Sequence, residues 1–149
     1  MSIHIREHLQ DGSLPVFTMD QVEAVSVLNG HQRVIIVPAG FQFAGGRVGI
    51  HVRRGGRFTS IEMMRVGPFG TICGVVDIEG CYLPSEVPEP VQKWPDYEKA
   101  WLMCATKRNQ QVVVVTHPQW VQPYPVPGKP GIWEMTREMC ETTEVEDVE

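Results

Sequence analysis

The sequence has few cysteines, and their spacing does not suit metal binding or redox chemistry. The chain of 149 residues contains four cysteines, and no two of them form a C-x-x-C pair. This spacing argues against a zinc ribbon and against a redox dithiol. Because free cysteine usually behaves as a small hydrophobe, we expect Cys73, Cys81, Cys104 and Cys140 to be buried or inert thiols.

Long apolar runs and signature motifs of common enzymes are also missing. No segment approaches the ~20 apolar residues that a membrane helix needs, and the N-terminus lacks the apolar core of a secretory signal. We therefore expect a cytoplasmic protein with no membrane partner. There is no G-x-S-x-G elbow, H-E-x-x-H helix or P-loop. His4 and His8 are four residues apart but have no third ligand nearby, so we predict neither a metal site nor a cofactor.

The acidity of the chain belongs to its last residues. The net charge is −5, from 18 acidic and 13 basic residues. Residues 136–149 hold six of the acids and one of the bases, which leaves 12 of each in the rest. We therefore predict one domain over residues 1–135 and a flexible acidic tail over 136–149. The alternative is that this tail folds over a basic surface and competes there with a polyanion.

A run rich in β-branched residues lies in the middle of the chain. It covers residues 71–78 and is bracketed by Gly70 and Gly80, a composition that predicts a long, buried central strand. Strict alternation places one set of side chains on one face and the other set opposite: Ile72, Gly74, Val76 and Ile78, against Cys73, Val75, Asp77 and Glu79. The interior glycine, Gly74, predicts a bulge or a close backbone approach.

Other elements are predicted from periodicity and turn signals. A helix after Asp20 has Glu23 at the reciprocal capping position and Gly30 as its end. A second helix is predicted over residues 96–107. Further strands are predicted at 33–37, 47–53, 110–116 and 131–135, whereas the proline-rich segments 83–95 and 117–129 are expected to be irregular. This order suits an α+β fold, a small β-barrel of about five to seven strands with two to three short helices.

Basic residues cluster after the second of these strands. Between residues 47 and 65 there are five arginines against one glutamate, and alternation places His51 on the outward face. Because the guanidinium group suits phosphate, this cluster predicts nucleic-acid contact. The candidate binding residues are Arg33, Arg47, His51, Arg53, Arg54, Arg57 and Lys129, with Trp120 as a candidate stacking platform. The alternative is that the arginines only solubilise a hairpin.

Carboxylates on the central strand are the strongest catalytic candidates, but they are weak ones. Alternation places Asp77 and Glu79 on one face, where they could form an acid–base pair. We expect them instead to face solvent or to pair with a neighbouring arginine. No catalytic residue is predicted.

Three segments in order resemble the signatures of ASCH domains, which belong to the PUA-like superfamily of small β-barrels. These are Gly46–Ile50, Gly70–Ile78 and Pro125–Trp133. The resemblance covers roughly residues 20–135. It implies a module that binds RNA or modified bases. One branch of the family resembles amidohydrolases that deacetylate modified cytidine, and some members have been linked to nuclease activity. All would use a cleft beside the first helix and the strand after it.

The chain departs from the family pattern in that cleft. The family motif G-x-K-x-x-E-x-R supplies lysine, glutamate and arginine, and these positions are Gln32, Ile35 and Val37 here. The resemblance therefore predicts a non-catalytic module that binds RNA or single-stranded nucleic acid through a basic surface. The alternative is a protein-interaction module, such as an inhibitor or adaptor. A divergent hydrolase acting on modified cytidine is the third hypothesis.

Overall fold

The computed structural model of the chain describes residues 5, 13–38, 46–53, 70–104, 110–129, 131–136 and 138. Several predictions concern residues outside this set. They are the histidine pair near the N-terminus, the candidate residues Arg54 and Arg57, the fourth cysteine and most of the acidic tail. These stay predictions.

The described residues form six strands and three α-helices. The strands are β1 (Ser13–Met19), β2 (Val34–Pro38), β3 (Gly46–Val52), β4 (Thr71–Tyr82), β5 (Gln110–Pro125) and β6 (Ile132–Thr136). The helices are α1 (Gln21–Leu28), α2 (Glu89–Gln92) and α3 (Pro95–Met103), and a 3-10 turn covers Pro84–Glu86. The predicted α+β class is confirmed. None of the described helices is long and apolar enough to cross a membrane.

All six strands belong to one mixed sheet with the order β2-β5-β4-β3-β1-β6. Only β1 and β3 run parallel, and the other neighbours are antiparallel. The outer strands β2 and β6 do not pair with each other in the described part of the chain, so hydrogen bonds do not close the expected barrel. Because β1 and β2 both contribute to one core, the sheet curls around that core and leaves a gap between its edges.

Three hydrophobic cores surround the sheet. The inner core lies under α1 and draws on five strands, with Phe17, Ile35, Ile50, Val76 and Val113 among its members. The outer core lies on the opposite face and includes Leu14, Val16, Ile72, Val75, Tyr124, Trp133 and Met135. A third core packs α2 and α3 on β2 and β5 through Val34, Val91, Ala100, Val112 and Val114. Tyr97 and Trp101 of α3 pack against this core.

The central strand lies where the sequence predicted it, but its side chains do not alternate strictly. β4 pairs along both edges, with β3 and β5. Ile72 and Val75 share the outer core, whereas Cys73 and Val76 share the inner core. The prediction of strict alternation is therefore wrong. The cause is a bulge against β3, where Ile50 pairs with Gly74 but His51 pairs with Ile72, so that Cys73 is an extra residue of β4. This confirms the predicted bulge at Gly74, and register shifts against β5 accompany it.

The first helix begins without the predicted capping box. Asp20 is the N-cap residue, but its side chain makes no capping hydrogen bond. Glu23 accepts a hydrogen bond from Gln32 instead of reaching back to the cap. The predicted end is confirmed, because Gly30 adopts a φ of 80° after the helix.

The strand β5 is much longer than the sequence predicted. It continues to Pro125, through a stretch that was expected to be irregular. Proline removes a backbone donor, so it is tolerated in strands only at edges and bulges. The pairing of β2 reaches only as far as Val115, and beyond it β5 has β4 as its single described partner. Pro118 and Pro123 lie in that singly paired part. The segment 83–95 is likewise more regular than expected, since it contains the 3-10 turn and α2.

Candidate functional site

A cleft of about 300 Å³ opens in the gap between the two edges of the sheet. Its walls come from β1, β2 and β6, and the C-terminal end of α3 borders it through Met103 and Cys104. Phe17, Ile35 and Ile132 make most of this wall apolar. A cleft of this size admits a small ligand or a single base.

Three charged residues line the same cleft. Asp20 and Glu23 come from the start of α1, and Arg53 follows β3 directly. The Nε atom of Arg53 lies 3.0 Å from Oδ1 of Asp20, which is an ion-pair distance. The alignment is not that of a hydrogen bond, so this buried carboxylate oxygen keeps an open acceptor position.

Glu23 has an unusual protonation equilibrium. Burial raises the pKa of its carboxyl to about 7, and the neighbouring Asp20 charge acts in the same direction. The hydrogen bond from Gln32 Nε2, at 3.0 Å, and the Arg53 charge oppose this rise. At neutral pH the Glu23 carboxyl therefore exists in both forms, so it can donate through O–H or accept as carboxylate.

The three family cleft positions carry no charge and are buried. Gln32 is 1% exposed, and its Nε2 also donates to the carbonyl of Val34 at 2.9 Å. Ile35 and Val37 belong to the inner core. The strand that supplies charged groups in the family pattern therefore supplies apolar wall here.

Two of the predicted basic residues are paired away from the cleft. Arg47 Nε donates to Asp77 Oδ1 at 3.0 Å, and six residues of β3, or about 20 Å, separate it from Arg53. Arg33 lies past the other end of α1. Its Nε donates to Asp96 Oδ2 at 2.7 Å, and its guanidinium lies 3.8 Å from the centre of the Trp94 ring.

The remaining candidates are dispersed. Trp120 is 40% exposed, and its Nε1 donates to Asn29 Oδ1 at 3.0 Å, at the end of α1 opposite to the cleft. Lys129 is exposed in the segment between β5 and β6. Arg54 and Arg57 lie outside the described residues. Within the described residues, Arg53 is the predicted basic residue that lines the cleft.

His51 lies on the outer face of β3, as the alternation predicts, but it is not available to a ligand. The side chain is 3% exposed, because the segment that leads into β6 covers the outer face of β3. Its Nε2 donates to the carbonyl of Val126 at 2.8 Å, and its ring makes an edge contact with Trp133. A Cβ atom at Gly128 would overlap the imidazole ring. His51 is therefore a packing residue under a tight turn.

Acidification is expected to weaken this packing. Burial lowers the pKa of His51 below its ordinary value of 6.5, and Nδ1 is buried without a partner. Because the unfolded chain binds the proton more readily, the stability that neutral His51 provides is present above pH 6.5 and is lost as the pH falls. In urea unfolding at pH 7.5 and 5.0, His51→Gln should lose less stability on acidification than the original protein. An equal loss in both would contradict this role.

The two carboxylates of β4, Asp77 and Glu79, have different surroundings. Asp77 pairs with Arg47 and lies 3.2 Å from Nδ1 of His117. This confirms the expected pairing with an arginine, while Glu79 is exposed.

The three described cysteines are free thiols, and burial raises the pKa of Cys73 to about 12, which makes it unreactive. The described residues contain no group of three or more side chains suited to hold a metal ion.

The sequence did not identify Glu23 and Asp20 as cleft residues, because both fit a capping motif. A weak signal was available. Glu23 is the only charged residue in the eight-residue helix α1, which otherwise carries apolar and neutral side chains. A lone acid in such a helix is either exposed or placed in a polar recess of the core.

No family model matches this chain, and no curated protein matches it. Solved structures do. The ASCH protein from Zymomonas mobilis is similar over 89% of this chain and 93% of its own, with a TM-score of 0.56 and 11% sequence identity. A serine-to-alanine variant of that protein is similar over 94% of this chain and 99% of its own, with a TM-score of 0.54 and 10% sequence identity. A tyrosine-to-phenylalanine variant is similar over 88% of this chain and 96% of its own, with a TM-score of 0.56 and 11% sequence identity.

The chain therefore has an ASCH-type fold. The similarity covers nearly the whole of both chains, so the match extends over the full architecture rather than one motif. This confirms the resemblance drawn from the three sequence segments.

Proposed function

We propose that this protein is a non-catalytic nucleic-acid-binding module that takes one base of RNA, or of another single strand, into the cleft. The observation that carries the proposal is the make-up of that cleft, an apolar slot between β2 and β6 with Asp20, Glu23 and Arg53 at one end. The volume of about 300 Å³ can hold one base, whose polar edge needs hydrogen-bonding groups of the kind these residues supply.

Arg53 supports the phosphate side of the proposal. Its side chain is 49% exposed, and a guanidinium carries five donors, of which only Nε faces Asp20. The other donors can reach a phosphate at the mouth of the cleft. The sequence continues with Arg54 and Arg57, which would add to the same positive charge. ASCH-type relatives are expected to bind RNA, and this expectation agrees with the cleft.

The absence of charge at the family cleft positions favours binding over hydrolysis. An amidohydrolase needs a group that activates water and donors that stabilise an oxyanion. Gln32, Ile35 and Val37 provide no titrating group. Glu23 titrates near neutrality, but Gln32 is its hydrogen-bonding partner and no described lysine lines the cleft.

Charge removal at Arg53 is expected to weaken RNA binding at least tenfold. Loss of one phosphate contact should also reduce the slope of log affinity against log salt by about one. The measurement is fluorescence anisotropy with labelled single-stranded and duplex oligonucleotides at several salt concentrations, comparing Arg53→Gln with the original protein. Lys93→Gln is the matched control, because Lys93 is exposed, does not line the cleft and, among the described residues, pairs with the exposed Glu89.

The control should bind within twofold of the original protein. If no oligonucleotide binds, or if both variants bind alike, the proposed function is wrong. A partner that is captured from lysate and survives nuclease treatment would favour the protein-interaction alternative instead.

A further inference from the structure

The outer edge of β2 presents backbone groups to the cleft. In an antiparallel pair, successive residues alternate between bonding to the partner strand and facing away from it. The N–H of Val115 donates to the carbonyl of Arg33 at 2.9 Å, which fixes the phase of this alternation. Every second residue from Arg33 therefore bonds to β5, while Val34, Ile36 and Pro38 face the opposite way, toward the gap in the sheet.

Among the described residues of this edge, Ile36 is the one whose N–H and C=O both lack a bonding partner. The carbonyl of Val34 already accepts a hydrogen bond from Gln32 Nε2 at 2.9 Å. Pro38 has no N–H, and its presence agrees with the phase, since proline in a strand is tolerated where the N–H would face away from the partner. Between them, the N–H and C=O of Ile36 point into the cleft, and no described strand pairs with this edge.

The opposite side of the cleft offers a second such residue. The N–H of Thr18 donates to the carbonyl of Gly131 at 2.9 Å, so the same alternation turns Ile132 away from β1 and toward the gap. Ile36 and Ile132 line the same cavity from opposite strands. An extended residue carries its donor and acceptor side by side on one edge.

We propose that the cleft reads its base through these backbone groups, with the N–H and C=O of Ile36 pairing with the Watson–Crick edge of the ring. Each of the four bases has a donor next to an acceptor on that edge, and this pattern complements one extended residue. The inference rests on the proposed function, and it identifies the ligand group as an unmodified, unpaired base edge.

A peptide strand fits this site less well than a base. Strand addition needs several consecutive free N–H and C=O groups along an edge. Here only Ile36 offers both groups, because the carbonyl of Val34 already accepts from Gln32 and Pro38 has no N–H. A single planar group matches one residue and the cavity of about 300 Å³.

The test measures binding of the four ribonucleosides by calorimetry, each against the same nucleoside methylated on the nitrogen of its Watson–Crick edge. We expect methylation to weaken binding at least tenfold. Ile36→Pro removes the N–H without touching the bonds to β5, and it should cause a similar loss. Because the Ile36 side chain also packs against the third core, the melting temperature is measured to verify that the variant is folded. Ile36→Val, which keeps the backbone groups, should bind within twofold of the original protein.

The outcomes separate this inference from the proposed function. Equal affinity for methylated and unmethylated nucleosides overturns the proposal that the backbone of Ile36 recognises the base, even if oligonucleotides still bind through Arg53. Undiminished binding by a folded Ile36→Pro variant overturns it as well. If that variant does not fold, the methylated nucleosides decide alone. Displacement of a bound nucleoside by an extended peptide of strand-forming sequence would assign the edge to a protein partner instead. If neither nucleosides nor oligonucleotides bind, both proposals are wrong.

Discussion

Replacing Glu23 with glutamine is expected to stabilise the protein at pH 8 by up to about 3 kcal/mol, since each unit of pKa change corresponds to ~1.4 kcal/mol. The pKa of Glu23 is raised from 4.5 to about 7, mainly by burial. The folded protein therefore holds a proton that the unfolded chain releases. Glutamine has nearly the same shape, carries no charge, and keeps an oxygen for the hydrogen bond from Gln32.

The sign of the pH dependence follows from proton linkage. Between pH 4.5 and 7 the folded state binds more protons than the unfolded state, so this group costs stability as the pH rises. The cost is complete above pH 7 and absent below pH 4.5. The stabilisation by Glu23→Gln should therefore shrink toward zero as the pH falls from 8 to 4.5.

Urea unfolding over that pH range provides the measurement. Glu79→Gln is the matched control, because Glu79 is an exposed glutamate on β4 and its replacement should leave the pH profile unchanged. A constant difference between Glu23→Gln and the original protein at all pH values would contradict the raised pKa. Glu23→Gln also separates the hydrogen bonding of residue 23 in the cleft from its ionisation, since glutamine forms hydrogen bonds but does not titrate.

Replacing Gly74 with alanine is expected to destabilise the protein by about 1–3 kcal/mol, the usual cost of overpacking a core. A Cβ atom there would lie 2.9 Å from the backbone oxygen of Gln119 and 2.5 Å from Cδ1 of Leu28. Leu28 is buried in the inner core, and the β5 backbone is fixed by its pairing with β4. Neither neighbour can move without breaking other contacts.

The strand supplies its own control for this prediction. At Gly80 the three atoms nearest to an added Cβ all belong to the ring end of the Tyr82 side chain, which can rotate away. Gly80→Ala should therefore cost less than Gly74→Ala in the same denaturation experiment. The double variant Gly74→Ala/Leu28→Ala should be more stable than the sum of the two single changes predicts, because the second change removes the first clash. Strict additivity would show that Leu28 is not the obstacle.

The sequence predicted the parts of the fold that depend on local pattern. The β-branched run at 71–78 became the central strand, and the alternation in β3 placed Val48, Ile50 and Val52 in the inner core. The local pattern did not predict burial where another segment of the chain covers the outer face of the sheet. His51 follows the same alternation, but the chain near Val126 folds over it. That contact joins residues 75 positions apart and leaves no local signal.

The position of the cleft was predicted from the sequence, whereas only some of its lining residues were, and their role in binding stays a prediction. The cleft beside α1 and β2 is where the family resemblance placed it, and Arg53 was among the candidate residues. Glu23 was missed, because its role depends on Gln32 and on burial between two sheet edges. The length of β5 was missed for a related reason. Prolines end a strand only where both edges are paired, and pairing is a tertiary property.

The pairing of β1 with β6 has a consequence for synthesis on the ribosome. Ser13 lies opposite Thr136, so one wall of the cleft joins chain segments that emerge far apart in time. Until residues 132–136 leave the exit tunnel, the outer edge of β1 has no partner and resembles an aggregation-prone strand. Nascent chains stalled before Ile132 should therefore depend on chaperones, and ligand capture should begin only with the last strand.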